Sequence, residues 1–234
     1  MAAGLLSLTA TAAEWNNDLH IAAGPFSSPN MAAVFFGNDI LKAADAQAAA
    51  NVMIANQQFF GHYSLEYHHQ TIPWLEVGAK LTYEYNGFDL MYHGNNDPIV
   101  ETVLLTGSNY TQENKLLGHS DARLFTAAVS LHFTYVNTRI VKVYSGLDLG
   151  IGFADWQRNK MWDGNIPAAA KADPNVQQID DILTGINNLK NFYVIPAFDI
   201  VPVGVKVGGR CYGLAEINIG TDALIKLGFG VRFL

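Results

Sequence analysis

Between Trp74 and Asn86 the chain alternates strictly: Leu75, Val77, Ala79, Leu81, Tyr83 and Tyr85 occupy the odd positions, and Glu76, Gly78, Lys80, Thr82, Glu84 and Asn86 the even ones. A period of two puts every charge of such a stretch on one face of a β-strand. A single strand of this kind fits the half-buried sheet of a soluble protein. Here the pattern recurs. Asp18–Phe26 sets Leu19, Ile21 and Ala23 against Asp18, His20 and Ala22, and a stretch near Phe59–His68 sets Tyr63, Leu65 and Tyr67 against His62, Ser64, Glu66 and His68. Further strands are predicted at Leu124–Val136, Val141–Phe153, Phe192–Val207, Tyr212–Ile219 and Ile225–Phe233. The sixth carries Pro196 and Pro202, which predict an irregular or bulged ladder.

The connections differ by parity. The first, Ser27–Gln57, has Leu41, Ala44, Ala48 and Val52 at helical spacing behind a cap at Asn38 or Asp39. The third, from Gly87 to Asp121, is rich in turn formers and reads as a polar loop. In the fifth, Arg158–Lys190, Asp173-Pro174 supplies the first residues of a helix in which Val176, Ile179, Leu183 and Ile186 recur. The even connections are tight turns. A turn centred on Asn137-Thr138 would pair Thr134 with Lys142 and Phe133 with Val143, and one centred on Thr221 would set Glu216 across from Lys226.

Composition narrows the class. No run among the 234 residues approaches the roughly 18 apolar residues of a membrane helix, yet half the chain is apolar and only 15% is charged. An even number of strands, apolar faces rich in aromatics, and long connections at one end only are the attributes of a transmembrane barrel. The expected fold is therefore all-β: an antiparallel up-and-down barrel of about eight strands spanning a membrane, with short helices in long extracellular loops. A soluble lipocalin-like barrel is the alternative. In the membrane reading the polar face lines the lumen, bringing together Glu66, Glu76, Lys80, Glu84, Lys142, Asp148, Asp199, Glu216, Lys226 and Arg232, with His20, His62 and His132. An eight-stranded interior is only wide enough for side chains to fill. Charges so confined must pair, so the lumen is predicted to be plugged. The net charge of -7 argues against a nucleic-acid partner. Cys211 is single and can form no internal disulfide.

The two ends carry further signals. Residues 1–13, with Ala2–Leu8 apolar and Ala10-Thr11-Ala12 an A-x-A cleavage pattern, look like the remnant of a secretory signal cut after Ala12 or Ala13, with the barrel domain spanning 14–234. No Lys or Arg precedes the apolar part, so the signal reads as truncated. At the other end, ALIKLGFGVRFL, in which Phe229, Val231 and Phe233 alternate, resembles the terminal assembly signal of bacterial outer-membrane proteins, departing from it only by Leu234 after the final aromatic. The strand pattern is similar to the small outer-membrane barrels typified by OmpX, OmpW and the OmpA membrane domain. That resemblance implies a monomer in the bacterial outer membrane, surrounded by its lipid and inserted by the barrel-assembly machinery through the last strand.

Three functions are compatible with such a chain. One is a non-enzymatic barrel whose loops contact a surface partner or support the envelope. Another is a barrel that binds or conducts a small apolar ligand, housed under the helix of the fifth connection. The third is a lipid-A-modifying enzyme, which needs a nucleophile and a base facing lipid or the outer rim. Parity sends Ser130 and His132 into the lumen and leaves Ser145 alone outside, so no catalytic residue and no cofactor are assigned. His68 and His69 point to opposite faces, so with His62 they form no metal site and read as interfacial or turn histidines. The glycines of GLDLGIGF and LGFGVRF open no helix and therefore no nucleotide loop; they make room in a crowded lumen. Trp74, Trp156 and Trp162 lie near strand ends, where an interfacial girdle is expected.

Overall fold

The computed structural model describes residues 15–25, 52–93, 98–107, 110–159, 164–188 and 192–234. The signal remnant, the body of the helix expected in the first connection, and Trp162 lie outside these residues. Eight strands follow in order: β1 Asn17–Gly24, β2 Val52–Ile72, β3 Leu75–Tyr92, β4 Leu116–Asn137, β5 Val141–Asn159, β6 Phe192–Gly208, β7 Cys211–Gly220 and β8 Ile225–Phe233. Each pairs antiparallel with the next, and β1 pairs with β8, closing a ring. Two helices, α1 Pro98–Leu104 and α2 Pro174–Asn188, lie in the third and fifth connections. Asp173 caps α2 as its sequence demands, its Oδ1 accepting the backbone N–H groups of Asn175 at 2.9 Å and Val176 at 3.4 Å.

The ring is inverted relative to a soluble protein. Outward positions hold Ile21, Leu81, Phe125, Val129, Leu149, Leu227 and Phe229, all large, apolar and about half exposed or more, while the inward positions between them carry the charges and are buried. Aromatic side chains gather at two levels of the outer wall. Trp74 stacks on Phe133 and Tyr67 packs near Phe233 at the end with the short turns. Tyr83 packs on Phe125 and Phe153 stacks on Phe192 toward the other end. From Phe133 to Phe125 is eight residues, ~26 Å of strand or ~20 Å along the axis of a barrel whose strands tilt about 40°, which matches the apolar band of a transmembrane barrel.

Above the second aromatic level the pattern reverses, and here the structure corrects the sequence reading. The stretch 87–121, expected to be a polar loop, is strand at both ends, because β3 continues to Tyr92 and β4 begins at Leu116. Its alternation persists with the opposite sense. Asp89 and His119 now face outward and bond to one another, while Leu90, Tyr92 and, through a bulge, Leu117 are buried. Leu90, Tyr92 and Leu117 join Val100, Val103 and Leu104 of α1, Tyr110, and Val176 and Ile179 of α2 in one apolar cluster that caps this end of the ring. Residues 52–57, assigned to the first connection with Val52 on a helix, belong to β2. The short chain of the β4–β5 turn also differs from expectation. Thr134 pairs with Tyr144 and Phe133 with Ser145, not with Lys142 and Val143, because the turn spans Thr138 to Ile140 and is not centred on Asn137-Thr138; an extra residue at Tyr135 bulges β4 and offsets one residue of that shift.

Candidate functional site in the barrel interior

Inward positions from all eight strands converge on one buried network. At its centre Lys80 extends its Nζ to 2.5 Å from Asp148 and 3.5 Å from Asp199 and also contacts Asp222, so three carboxylates surround one ammonium. Lys226 does the same one layer away, 2.6 Å from Glu66, 2.7 Å from Glu216 and 2.7 Å from Asp222. Glu216 and Lys226 are direct partners across the β7–β8 ladder. Asp222 thus bridges both lysines, and its other oxygen lies 2.5 Å from His62, which also reaches Glu84 at 3.3 Å. Asp199 holds the turn that carries Asp222, accepting the Asp222 N–H at 2.6 Å and the Thr221 hydroxyl at 3.2 Å.

Toward the short turns a second layer forms. Lys142 pairs with Glu76, and Lys206 stands 2.8 Å from Asp18 and 3.7 Å from Glu76. Arg232 makes a different contact: it lies over the Tyr212 ring, 4.9 Å from its centroid, and donates to the Gly208 carbonyl at 3.3 Å. His20, His68, His132 and Tyr144 stack in a column with successive centroid distances of 5.4, 4.0 and 4.4 Å. Every ring of the second layer sits across a ladder from a glycine: His68 opposite Gly78, His132 opposite Gly146, Tyr144 opposite Gly204, and Tyr212 and His20 on either side of Gly230. A Cβ at any of these glycines would come within 2.6 Å of the facing ring. The glycines are the space into which the rings fold.

All ten lumen charges expected from sequence therefore face inward and are buried. Sequence reasoning did not gather Asp18, Lys206 and Asp222 into the network, and it placed His68 at an interface. The structure instead buries His68 in the column, its Nε2 3.0 Å from Ser130 Oγ. Ser130 also reaches His132 at 3.2 Å. Ser130, His68 and Asp18 thus follow the order of a hydrolytic triad, with 3.6 Å between His68 Nδ1 and Asp18 Oδ1, but Ser130 has no exposed surface through which a substrate could reach it. Among the described residues the inward face carries eight carboxylates (Asp18, Glu66, Glu76, Glu84, Asp148, Asp199, Glu216, Asp222) against five permanent cations (Lys80, Lys142, Lys206, Lys226, Arg232), a deficit of three positive charges.

Two other places bear on function. Beneath α1 and α2, Val100, Leu104, Ile166 and Ile179 meet without a water-sized space between them, so these described residues form no cavity for the apolar ligand expected there. On the outer wall above the apolar band, His119 donates to Asp89 at 2.7 Å, and its other ring nitrogen is 3.1 Å from Asp121. The bond to Asp89 and the charges of both aspartates hold its pKa above the ordinary 6.5, against a smaller opposing effect of partial burial. A raised histidine pKa means the contact stabilises the fold below pH 6.5 and is lost as pH rises through the raised value. Ring-proton titration by NMR should place His119 above 6.5, and Asp89→Asn should bring it down; an unshifted midpoint in the variant would contradict this assignment.

No family model matches the chain, and no curated protein matches it. Solved structures do. Ail, the attachment invasion locus protein of Yersinia pestis, solved in complex with the heparin analogue sucrose octasulfate, is 11% identical, with 95% of this chain and 99% of that one covered at a TM-score of 0.40. Ail without that ligand gives a TM-score of 0.39 at the same identity and coverage. The N-terminal β-barrel domain of Pseudomonas aeruginosa OprF is 10% identical, with 94% and 100% covered at a TM-score of 0.35.

Proposed function

We propose that the chain is a bacterial outer-membrane barrel that acts from its surface, without catalysis and without an open pore. The observation that carries this reading is the inversion of the ring: buried carboxylates and lysines inside, half-exposed leucines, valines and phenylalanines outside. Apolar surface of that extent is stable only against lipid. A closed barrel is also one of the few ways a chain can satisfy all its backbone polar groups in a bilayer. Phe229, Val231 and Phe233 face outward on the last strand, where the assembly machinery would read them. The ion-paired layers and the apolar cap support surface contact as the mode of action. The exposed side chains Ile99 and Leu105, at the two ends of α1, belong to the contact region we assign to a partner.

The test has two arms. The protein should fractionate with outer membranes and migrate faster in SDS gels before boiling than after, because a closed barrel resists the detergent. In planar bilayers it should give no stable porin-like conductance. Recovery in the periplasmic wash with no heat-dependent shift would defeat the membrane placement, and a large steady conductance would defeat the plugged interior. Loss of a captured partner on deletion of 160–190, with the heat shift retained, is the expected sign of loop-mediated contact.

A further inference from the structure

We propose that Asp18, His20 and His68 form a binding site for one zinc-class divalent transition ion in the lumen, inside the short-turn end. The ladder itself brings them together. Asp18 and His68 are direct partners across β1 and β2, and His20 is the next inward residue on β1. Their ligand atoms all lie within 4.8 Å of one another. Asp18 Oδ1 stands 3.4 Å from His20 Nδ1 and 3.6 Å from His68 Nδ1. Ligands ~2.0–2.1 Å from a tetrahedral zinc are ~3.3–3.4 Å from each other, so these separations are already close to those of a formed site.

Two independent observations point at an ion and not at a finished hydrogen-bond network. Asp18 Oδ1 and His68 Nδ1 are buried atoms with no hydrogen-bond partner, and they stand 3.6 Å apart. Direct hydrogen bonding, the simpler use of such a pair, is not made at 3.6 Å. Second, the atoms of the three groups turned away from the site lie beside the groups a metal's outer partners would be, two of them already hydrogen-bonded. His68 Nε2 meets Ser130 Oγ at 3.0 Å, His20 Nε2 lies 3.1 Å from Glu66, and Lys206 donates to Asp18 Oδ2 at 2.8 Å. The Tyr212 hydroxyl hydrogen-bonds His20 Nδ1 at 3.2 Å, a contact that the ion would replace.

The neighbouring acidic triad supplies a contrast. Asp148, Asp199 and Asp222 also converge, but Lys80 fills their centre. No ammonium stands between Asp18 Oδ1 and the two imidazoles, since Lys206 is engaged on the other carboxylate oxygen. A divalent ion would also supply two of the three positive charges by which the described interior falls short. Two imidazoles with one carboxylate suit zinc, nickel or copper and do not suit calcium or magnesium, which take oxygen ligands. Because the three residues are almost fully buried, the ion must enter during folding.

The experiment is to refold the untagged protein in detergent with zinc chloride or with EDTA, desalt it, and measure metal in the heat-shifted, folded fraction. One zinc per chain is expected in the zinc-refolded wild type, and less than a tenth of that in His68→Gln. Refolding with cobalt(II) reads the same site without any variant, since a tetrahedral site of nitrogen and oxygen ligands gives visible absorption bands that octahedral aqueous cobalt lacks. A folded wild type that is colourless with cobalt and retains no zinc overturns the proposal, as does a folded His68→Gln that retains a full equivalent. If the variant does not fold, the cobalt spectrum of the wild type decides alone. Failure here leaves the outer-membrane reading intact, because that reading depends on fractionation and the heat shift.

Discussion

Lys226→Met should destabilise the barrel by about 3–5 kcal/mol, because removing one partner from a buried ion pair strands the others as uncompensated charges in a low-dielectric interior. Three carboxylates are stranded here, those of Glu66, Glu216 and Asp222, each within 2.7 Å of the ammonium. Urea unfolding of the refolded protein, followed by the heat-shifted band and by tryptophan fluorescence, measures the loss. Adding Glu216→Gln should recover only part of it, since Glu66 and Asp222 stay charged. Because Asp222 also contacts Lys80, Lys80→Met and Lys226→Met should couple by about 1 kcal/mol or more in a double-mutant cycle. Strict additivity of those two losses would show that the lysines do not share a carboxylate.

The second large effect is expected from a change that adds one carbon. Gly204→Ala would place its Cβ 2.3 Å from Tyr144 Cζ and 2.8 Å from the Tyr144 hydroxyl. Tyr144 has no free direction in which to move. It is fully buried, packs at 4.4 Å on His132, lies beneath the Lys206 ammonium at 5.1 Å, and donates its hydroxyl proton to Glu216. Overpacking of this kind costs about 1–3 kcal/mol. In a Tyr144→Leu background the clash is absent, so the same Gly204→Ala change should cost less than about 0.5 kcal/mol. An equal penalty in both backgrounds would mean that the strand, not the ring, needs the glycine.

Much of this arrangement was legible in the sequence, and the failures have identifiable causes. The alternation of β5, β7, β8 and the Leu75–Asn86 part of β3 assigns each face correctly because these stretches run between lipid and lumen. The same rule misreads the upper ends of β3 and β4. There the outer face meets water and the inner face meets the apolar cap, so Asp89 points out and Leu90 points in. Asp199 and Lys206 illustrate another limit. They are seven positions apart and would face opposite sides of a regular strand, yet both face the lumen because β6 shifts register between Ile200 and Val203. Pro202 signalled the irregularity but not its effect on Lys206. Asp222 looked like a turn residue and is one, but its side chain reaches down into the network from the rim. For His68, neighbouring His69 drew attention to sequence adjacency. The informative relation was its strand partner, Asp18, which lies fifty residues away.

The seam between β1 and β8 governs the order in which the molecule can be built. Asp18 meets Lys206 across 188 residues of chain, Glu66 meets Lys226 across 160, and His20 meets Tyr212 across 192. None of these partners can find one another from local contacts alone. Contacts so distant in sequence bring slow folding, because loop closure must precede their reward. While the last strand is missing, the interior lysines and carboxylates stay hydrated and both sheet edges stay open to foreign strands. Closure therefore acts as a single late event that seals the edges, dries the charges and pairs them together. A chain stopped before Ile225 would lose more than one strand of eight: it would keep Glu66, Glu216 and Asp222 without the ammonium that all three share.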